Sequence, residues 1–599
     1  MTNYAVVLDL EVDLGGDRKD PSPYNKDNTL AAIGYTFRTF EGEPIWGSDG
    51  SVVFVDLNSQ QSIDKLKENL NKATYIVAHN AKFDVAWLRE IGIDCDIKII
   101  DTMISEYILC KGIRSQLSLN ALSQKYETTA KESLLSDILN RGLNFSDMSL
   151  ENQQTYLRHD VLATAEVFQA QQKLYNRPEN KSLIPIRDLM CQFCSVLTDI
   201  ERSGMAIDLD VLSQVDKEYE REQAQLNSYL NQKVRSLMGD LEVNLSSPEQ
   251  LSQVIYSCKL VDKKSWKSLM NIGVDHRGKP LPRPTMDLNS FREAVSSCFK
   301  RSKKVRSAKC PSCNGLGGYF KVKKDGTNFK KQTKCEVCAG KGTIYIDLED
   351  RGGLNLPPRL SLASAGGFKT DKNTLSMLLN EVTDPRAKKF IESIVRLSAI
   401  ETYRSAFIEG IRKGIKSDGL LHANFNQCIT ATGRLSSSSP NLQNMPKGRL
   451  FPVRKAFVSR FKGGELVEID YSQLEFRVAG ILATDEVVKR EVESGFDVHA
   501  YTAKVLSDNG EPTERGAAKA STFRPLYGGT QGTTAQRTYF KEFFNKYKGI
   551  FKWHEHLQNE AIQHKLVTTA TGRQFSFPDC QRNFSGTATH KTQIVNYPV

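Results

Sequence analysis

Apolar and polar positions change rhythm several times along this 599-residue chain, and each change predicts an element. Tyr4–Leu10 is nearly all apolar, the pattern of a strand buried on both faces. The run Ala5-Val-Val-Leu-Asp9-Leu-Glu11 closes on two acids two positions apart, so both side chains leave the strand on one face. Tyr75–Leu88 reads as a strand, a turn and a helix start, with Asp84 in the first helical turn. Tyr156–Ala165 has helical spacing and sets Tyr156 and Asp160 one turn apart on one side. From Ile186 to Leu260 apolar positions recur with helical period among charges, as at Leu209–Leu230, which predicts long antiparallel helices. Cys191 and Cys194 sit inside an apolar helical run without a second pair nearby, and are read as core packing. Val467–Asp470 reads as an apolar strand delivering one carboxylate at its end, with Glu475 five residues later. Arg515–Phe523 reads as a helix that kinks or ends near Pro525, which removes one helical hydrogen bond.

A chain of this length holds three or four domains. It lacks an apolar run near 18 residues, which excludes a membrane-spanning helix. Lys and Arg outnumber Asp and Glu by 81 to 70, and the net charge of +11 favours a polyanionic partner. Twelve cysteines, with no targeting segment ahead of the first strand, point to a soluble cytoplasmic protein that uses thiols for metal rather than disulfides.

Two carboxylates on one strand face repel unless a cation sits between them, so Asp9 and Glu11 are candidate metal ligands. On the 515–523 helix, residues four apart share a face, which makes a stripe of Arg515, Lys519 and Phe523. Two cations followed by an aromatic plate suit a polyphosphate carrying a base or sugar. In the middle of the chain, Cys310-x-x-Cys313-x-Gly-x-Gly recurs as Cys335-x-x-Cys338-x-Gly-x-Gly. Two such knuckles supply four thiolates for a tetrahedral structural zinc, and the repeat resembles the zinc modules of DnaJ-type chaperones. The residues between the knuckles have few core formers, so the metal supplies most of the local fold. Around Lys300–Lys334 many Lys and Arg face a single acid, Asp325, which fits contact with DNA or an acidic partner, or else a solvated loop.

Three stretches together resemble family A DNA polymerases, the class of bacterial DNA polymerase I and the phage replicases. They are Thr430-Ala-Thr-Gly-Arg434 running on to Asn441-Leu-Gln443-Asn444, Val467-Glu-Ile-Asp470-Tyr-Ser-Gln-Leu-Glu475, and Arg515 through Lys519 and Phe523 to Tyr527-Gly528. The resemblance implies that Asp470 coordinates two Mg2+ ions, with the carbonyl of Tyr471 completing one of them. Glu475 would lie under the sugar and exclude a 2′-hydroxyl. Arg515 and Lys519 would bind the incoming triphosphate, Lys519 donating a proton to pyrophosphate. His499 would contact phosphate, Phe523 would face the sugar and Tyr527 the templating base, while Arg434, Asn441 and Gln443 would contact DNA. Asp9, Glu11, Asp84, Tyr156 and Asp160, in that order, resemble the 3′–5′ exonucleases with four acids and a tyrosine. The four acids would hold two divalent ions, Mg2+ or Mn2+, and Tyr156 would orient the attacking water.

The fold class this implies is multidomain α/β, an RNase H-like exonuclease joined to a right-hand polymerase with a zinc-binding insert. The expected boundaries are 1–184 exonuclease, 185–300 thumb, 301–345 zinc insert, 346–425 thumb and start of palm, 426–485 palm, 486–590 fingers, and 591–599 a return to the palm. Primer–template DNA and deoxynucleoside triphosphates are the expected partners, with a processivity factor possible at the insert. Gln593–Val599 resemble the segment just before the family's Gln-Gly helix, and no His-Asp-Glu hairpin carrying the second metal-binding aspartate occurs after Asp579. Either a second polypeptide completes the palm, as in a two-chain phage replicase, or the chain is a cut product. The alternative function is a polymerase-derived exonuclease that binds DNA without synthesis.

Overall fold

The computed structural model describes residues 4–15, 20–45, 51–94, 97–129, 142–273, 285–322, 328–446, 451–584 and 586–599. The amino-terminal part is a five-stranded sheet of order β3-β2-β1-β4-β5. Its strands are β1 (Tyr4–Asp13), β2 (Thr29–Thr39), β3 (Val53–Phe54), β4 (Tyr75–Ala78) and β5 (Lys98–Asp101). β1 runs antiparallel to β2 and parallel to β4. Helices α1 (Gln60–Lys72), α2 (Lys82–Glu90), α3 (Thr102–Leu109), α4 (Leu150–Tyr175) and α5 (Ile184–Ser203) accompany the sheet.

Both faces of β1 are covered, which is why its sequence lacks alternation. Val6, Leu8 and Leu10 enter one cluster with Ile33, Ile76 and Trp87. Ala5 and Val7 enter another with Val77, Ile100 and, from α4, Ala165 and Phe168. Asp9 and Glu11 have the parity of Ala5 and Val7, so they lie on the face that α4 covers. α5 also packs with this sheet, and Met190, Cys191 and Cys194 are buried in the first cluster. The first stretch of the first compact unit runs to Asp208.

The second compact unit comprises Leu209–Glu409 and Pro446–Ala456. It opens with α6 (Leu209–Met238), a 30-residue helix. A two-stranded ribbon follows, β6 (Lys303–Lys309) antiparallel to β9 (Thr343–Arg351), carrying a hairpin of β7 (Gly318–Val322) and β8 (Asn328–Lys334). Lys323, Lys324 and Asp325, part of the expected basic stretch, lie outside the described residues. α7 (Pro385–Thr402) then packs on α6, and Arg396 clamps Glu222 through both carboxylate oxygens at 2.7 and 2.8 Å. This bidentate geometry is the strong form of an Arg–carboxylate contact.

The first compact unit resumes with Gly410–Met445 and Phe457–Val599. Its elements include α8 (Leu474–Leu482), α9 (Val498–Asp508), α10 (Arg515–Leu526), α11 (Lys548–His564), β10 (Leu566–Thr568) and β11 (Gln574–Ser576). Phe476, Val498, Leu506, Leu526, Tyr539, Phe543 and Tyr547 make the core that holds α8, α9 and α10 together. α10 ends one residue after Pro525. Residues expected as exonuclease and fingers, and those expected as palm apart from 446–456, thus share one compact unit.

One expected element does not form. Val467–Asp470 is not a strand, and Leu466, Val467 and Ile469 are 53, 79 and 91 % exposed. A strand exists through the hydrogen bonds of a neighbour, and none of the described residues forms a ladder with this segment. None of the described helices is long and apolar enough to cross a membrane.

Candidate functional site

The acidic site is built where α4 crosses β1 and β2. Gly34 on β2 stands opposite Asp9 in the ladder. A Cβ at Gly34 would meet Leu157 Cγ of α4 at 2.9 Å, so glycine lets the helix lie directly on the sheet. Tyr156 and Asp160, one turn apart on α4, are thereby brought onto the acids of β1. Asp9, Glu11 and Asp160 each offer a carboxylate oxygen within 4.8 Å of the others. Asp84 stands outside that set of three, buried in the first turn of α2. Its pKa is raised well above the ordinary carboxylate value, first by burial and then by the negative charges of Asp9, Asp101 and Glu11. The Tyr156 hydroxyl is likewise pushed up, by burial and then by Glu11, Asp160 and Asp9, and it hydrogen-bonds Asp160. Three carboxylates this close together, with a fourth buried beside them, are a donor set that a divalent cation stabilises, so the residues fit Mg2+ or Mn2+. A cleft of about 1270 Å³ lies in the same compact unit, and none of these five residues lines it. His79, Asn80, Lys82 and Phe83 line it from the turn that leads into Asp84, and Arg114 and Asn426 face it from elsewhere.

Asp101, which no motif singles out, is a positioning group here. Its buried carboxylate accepts from the backbone N–H of Asn80 (3.1 Å), Ala81 (2.8 Å) and Met103 (2.7 Å). It therefore caps α3 and fixes the turn, with Asn80 at φ 62°, that launches α2 and Asp84. Its one signal in the sequence is an Asp immediately before a helical run.

The second site gathers around α10. Arg515 Nε donates to Asp497 Oδ2 at 2.6 Å, and Asp497 itself caps α9. His499 is buried, with Nδ1 3.1 Å from Thr522 Oγ1 and its ring edge-on to Phe523 at 5.4 Å. Burial lowers its pKa, and Arg515 and Lys519 lower it further, against Asp497 and Glu475. Phe523 stacks on Tyr527 with centroids 6.0 Å apart. Glu475, in the first turn of α8, lies 3.7 Å from Arg434 Nη2, and Arg434 also hydrogen-bonds Tyr527. Asp470 and Tyr471 are exposed on the segment ahead of α8. Asn441 accepts from the backbone of Asn444, which shapes the turn that also carries the exposed Gln443.

The third site is on the ribbon. The sulfurs of Cys310, Cys313, Cys335 and Cys338 all lie within 4.8 Å of one another and are buried. Cys310 and Cys335 sulfurs are 3.8 Å apart, and those of Cys313 and Cys338 are 3.6 Å apart. Four thiolates about 2.3 Å from a tetrahedral zinc stand about 3.8 Å apart, so the cage has the right size. The backbone N–H of Gly342 donates to Cys338 Sγ at 3.2 Å. Backbone donation, first from Cys338, pulls the Cys335 thiol down to about 6. Burial raises that of Cys313.

Comparison with known proteins accords with this geometry. The profile described as DNA polymerase family A matches residues 352–599, and the one described as 3′–5′ exonuclease matches residues 24–175. The chain carries a DNA polymerase family A region at residues 352–599. It carries a 3′–5′ exonuclease domain ahead of the polymerase region, and Asp9 and Glu11 precede the matched exonuclease residues. DNA polymerase I of Synechocystis sp. is 25 % identical over 558 residues, 89 % of this chain and 45 % of that protein. The thermostable DNA polymerase I of Thermus aquaticus is 33 % identical over 229 residues, 36 % of this chain and 27 % of that protein. The chain thus spans less than half the length of these relatives. Among solved structures, the POL domain of Pol1 from M. smegmatis, in complex with DNA primer–template and dNTP, has a similar fold. Its TM-score is 0.62 at 18 % identity, covering 100 % of this chain and 82 % of that one.

Proposed function

We propose that this chain performs DNA-templated DNA synthesis with 3′–5′ proofreading. The observation that carries this reading is the arrangement around α10. Arg515 and Lys519 present two cations on the face that continues into Phe523, while Arg434, Glu475 and Tyr527 meet at its far end. A triphosphate on the cations places its sugar and base over the aromatic plate, beside Glu475. Asp497 holds Arg515 in place beforehand, so little of the triphosphate's binding energy goes into ordering that side chain. Divalent ions at Asp470 would neutralise the transferring phosphate and activate the primer 3′-oxygen, and at the acids of β1 and α4 they would lower the pKa of an attacking water. In the exonuclease, Tyr156 orients that water from beside Asp160, and the cleft along His79–Phe83 admits a single strand.

The exposed apolar segment 466–471 supports a further part of this reading, that polypeptide outside these 599 residues pairs with it and supplies the second catalytic aspartate. A phage replicase of two chains is the arrangement this would fit.

The reading is tested by sugar selectivity. Phe523 lacks a hydroxyl that could stand in for the 3′-OH of a dideoxynucleotide. In the completed polymerase, Phe523→Tyr should raise dideoxynucleotide incorporation relative to deoxynucleotide by about 10-fold or more, the worth of one hydrogen bond in a closed site. Competition between the two nucleotides on one primer measures it. Equal termination by both proteins would show that this ring does not face the sugar.

The ribbon is proposed to hold one structural zinc through Cys310, Cys313, Cys335 and Cys338, with Cys191 and Cys194 in the core. Elemental analysis should give one zinc per chain, and Cys335→Ser/Cys338→Ser should remove it. Unchanged zinc in that variant would place the metal elsewhere. Chelation should expose β7 and β8 to protease first, because among the described residues apolar packing against the thiol cluster is limited to Ile344.

A further inference from the structure

Arg573 has no local sequence signal, yet its side chain is only 8 % exposed. Its Nη2 donates to Tyr107 Oη at 2.5 Å and to the carbonyl of Ala431 at 3.3 Å. The guanidinium carbon lies 4.8 Å from the centre of the Tyr107 ring and 5.1 Å from that of Phe575. Tyr107 in turn donates to the carbonyl of Thr430 at 2.6 Å, and Thr430 Oγ1 donates to the carbonyl of Arg434 at 2.7 Å. Gly433 has φ 89°, and a Cβ there would fall 2.1 Å from Arg573 Nη1. The backbone of the Thr430–Arg434 turn therefore lies directly on the guanidinium.

Burying a guanidinium is costly, and an apolar side chain of similar volume would fill the same space with less desolvation. What a guanidinium provides is several donors in a rigid plane, and here they hold a backbone carbonyl and the phenol that grips the next one. The side chain that leaves this fixed turn is Arg434, 59 % exposed and directed to Glu475. We infer that Arg573 is a positioning residue for Arg434, fixing the turn from below so that Arg434 meets primer–template DNA without first being ordered. The inference rests on the polymerase reading of residues 426–599. It also makes α3 of the exonuclease domain, through Tyr107, part of the polymerase's DNA-binding apparatus.

Anisotropy of a labelled primer–template, with the whole chain, tests this without requiring synthesis. Arg434→Ala should weaken binding about 10-fold, the cost of one DNA-contacting arginine. Arg573→Met should weaken it by a similar factor, and Arg573→Lys, which keeps a donor and the charge, by less. The double variant Arg573→Met/Arg434→Ala should bind no more weakly than Arg434→Ala alone, since both act through one group. Thermal melting and single-strand digestion check that Arg573→Met is folded. If it is not, Tyr107→Phe removes only the bridging hydroxyl and should show the same non-additivity with Arg434→Ala. Effects that multiply in the double variants, or unaltered binding by the Arg573→Met or Tyr107→Phe protein, overturn the inference alone. A wild-type chain that does not bind primer–template overturns the polymerase reading and the inference with it.

Discussion

Asp9→Ala should lower 3′-end digestion of single-stranded DNA by about 1000-fold, roughly 4 kcal/mol of transition-state stabilisation, the scale of removing a metal from its reacting oxygen. Asp9 stands with Glu11 and Asp160, within 4.8 Å of both, and it is the largest charge acting on Asp84. Removing it leaves too few carboxylates to hold two cations. The same crowding predicts that the variant is no less stable without metal. A carboxyl whose pKa is raised on folding binds its proton more tightly folded than unfolded. Its contribution to stability is present at low pH and disappears as pH rises from the ordinary carboxylate range through the raised value. Metal-free wild type should therefore become less stable as pH rises through the titration of Asp84, and Asp9→Ala should show a smaller decline. Melting curves in chelator at several pH values, beside digestion assays with Mg2+ or Mn2+, measure both. Undiminished digestion by the pure Asp9→Ala/Asp84→Ala protein would sink the assignment.

The 599-residue chain should bind primer–template but extend it negligibly, and a second fragment carrying a His-Asp-Glu palm hairpin should restore synthesis when mixed with it. Asp470 sits on a segment whose apolar residues are open to solvent, and no ladder among the described residues fixes its carboxylate relative to α10. A displacement near 1 Å already costs about 100-fold, and a metal short of one ligand adds to that. Pairing of 466–471 with an added strand would bury Val467 and Ile469 or their neighbours on alternate faces and lock Asp470 at the strand's end. Restoration should require both Asp470 and the supplied aspartate. Robust extension by the purified chain alone, abolished by Asp470→Ala, would refute this and assign the second ligand role to an acid already present.

What can be read from the sequence follows how local the physics is. The two-faced burial of β1 and the parity of Asp9 and Glu11 depend on neighbours along one strand, and both are seen in the fold. The cysteine cage is legible because each knuckle is a local turn and the repeat declares the pairing. Gly34 is silent, because the side chain it must admit, Leu157, is on a helix far along the chain. Arg573 is silent for the same reason, since its partners come from α3 and the Thr430–Arg434 turn. The apolar run at Val467–Asp470 has the composition of a strand without being one. Its β-branched residues report a readiness to pair, whereas a strand also needs something to pair with. The burial of His499, which lowers its pKa, is likewise beyond a motif match, which names a residue without its surroundings.

The first compact unit is assembled from three separate stretches of chain, 1–208, 410–445 and 457–599. During synthesis the amino-terminal sheet emerges first, but its contacts with the later stretches cannot form until all of 209–409 has been made. Lys82 waits for the carbonyl of Phe425, Tyr107 for Thr430 and Arg573, and the carbonyl of Lys111 for the amide of Ser576. Long-range contacts of this kind close slowly. For much of translation the nascent amino-terminal sheet therefore carries a surface that only the finished first unit covers. A ribosome that stalls within the second unit leaves that surface bare, open to chaperone or protease.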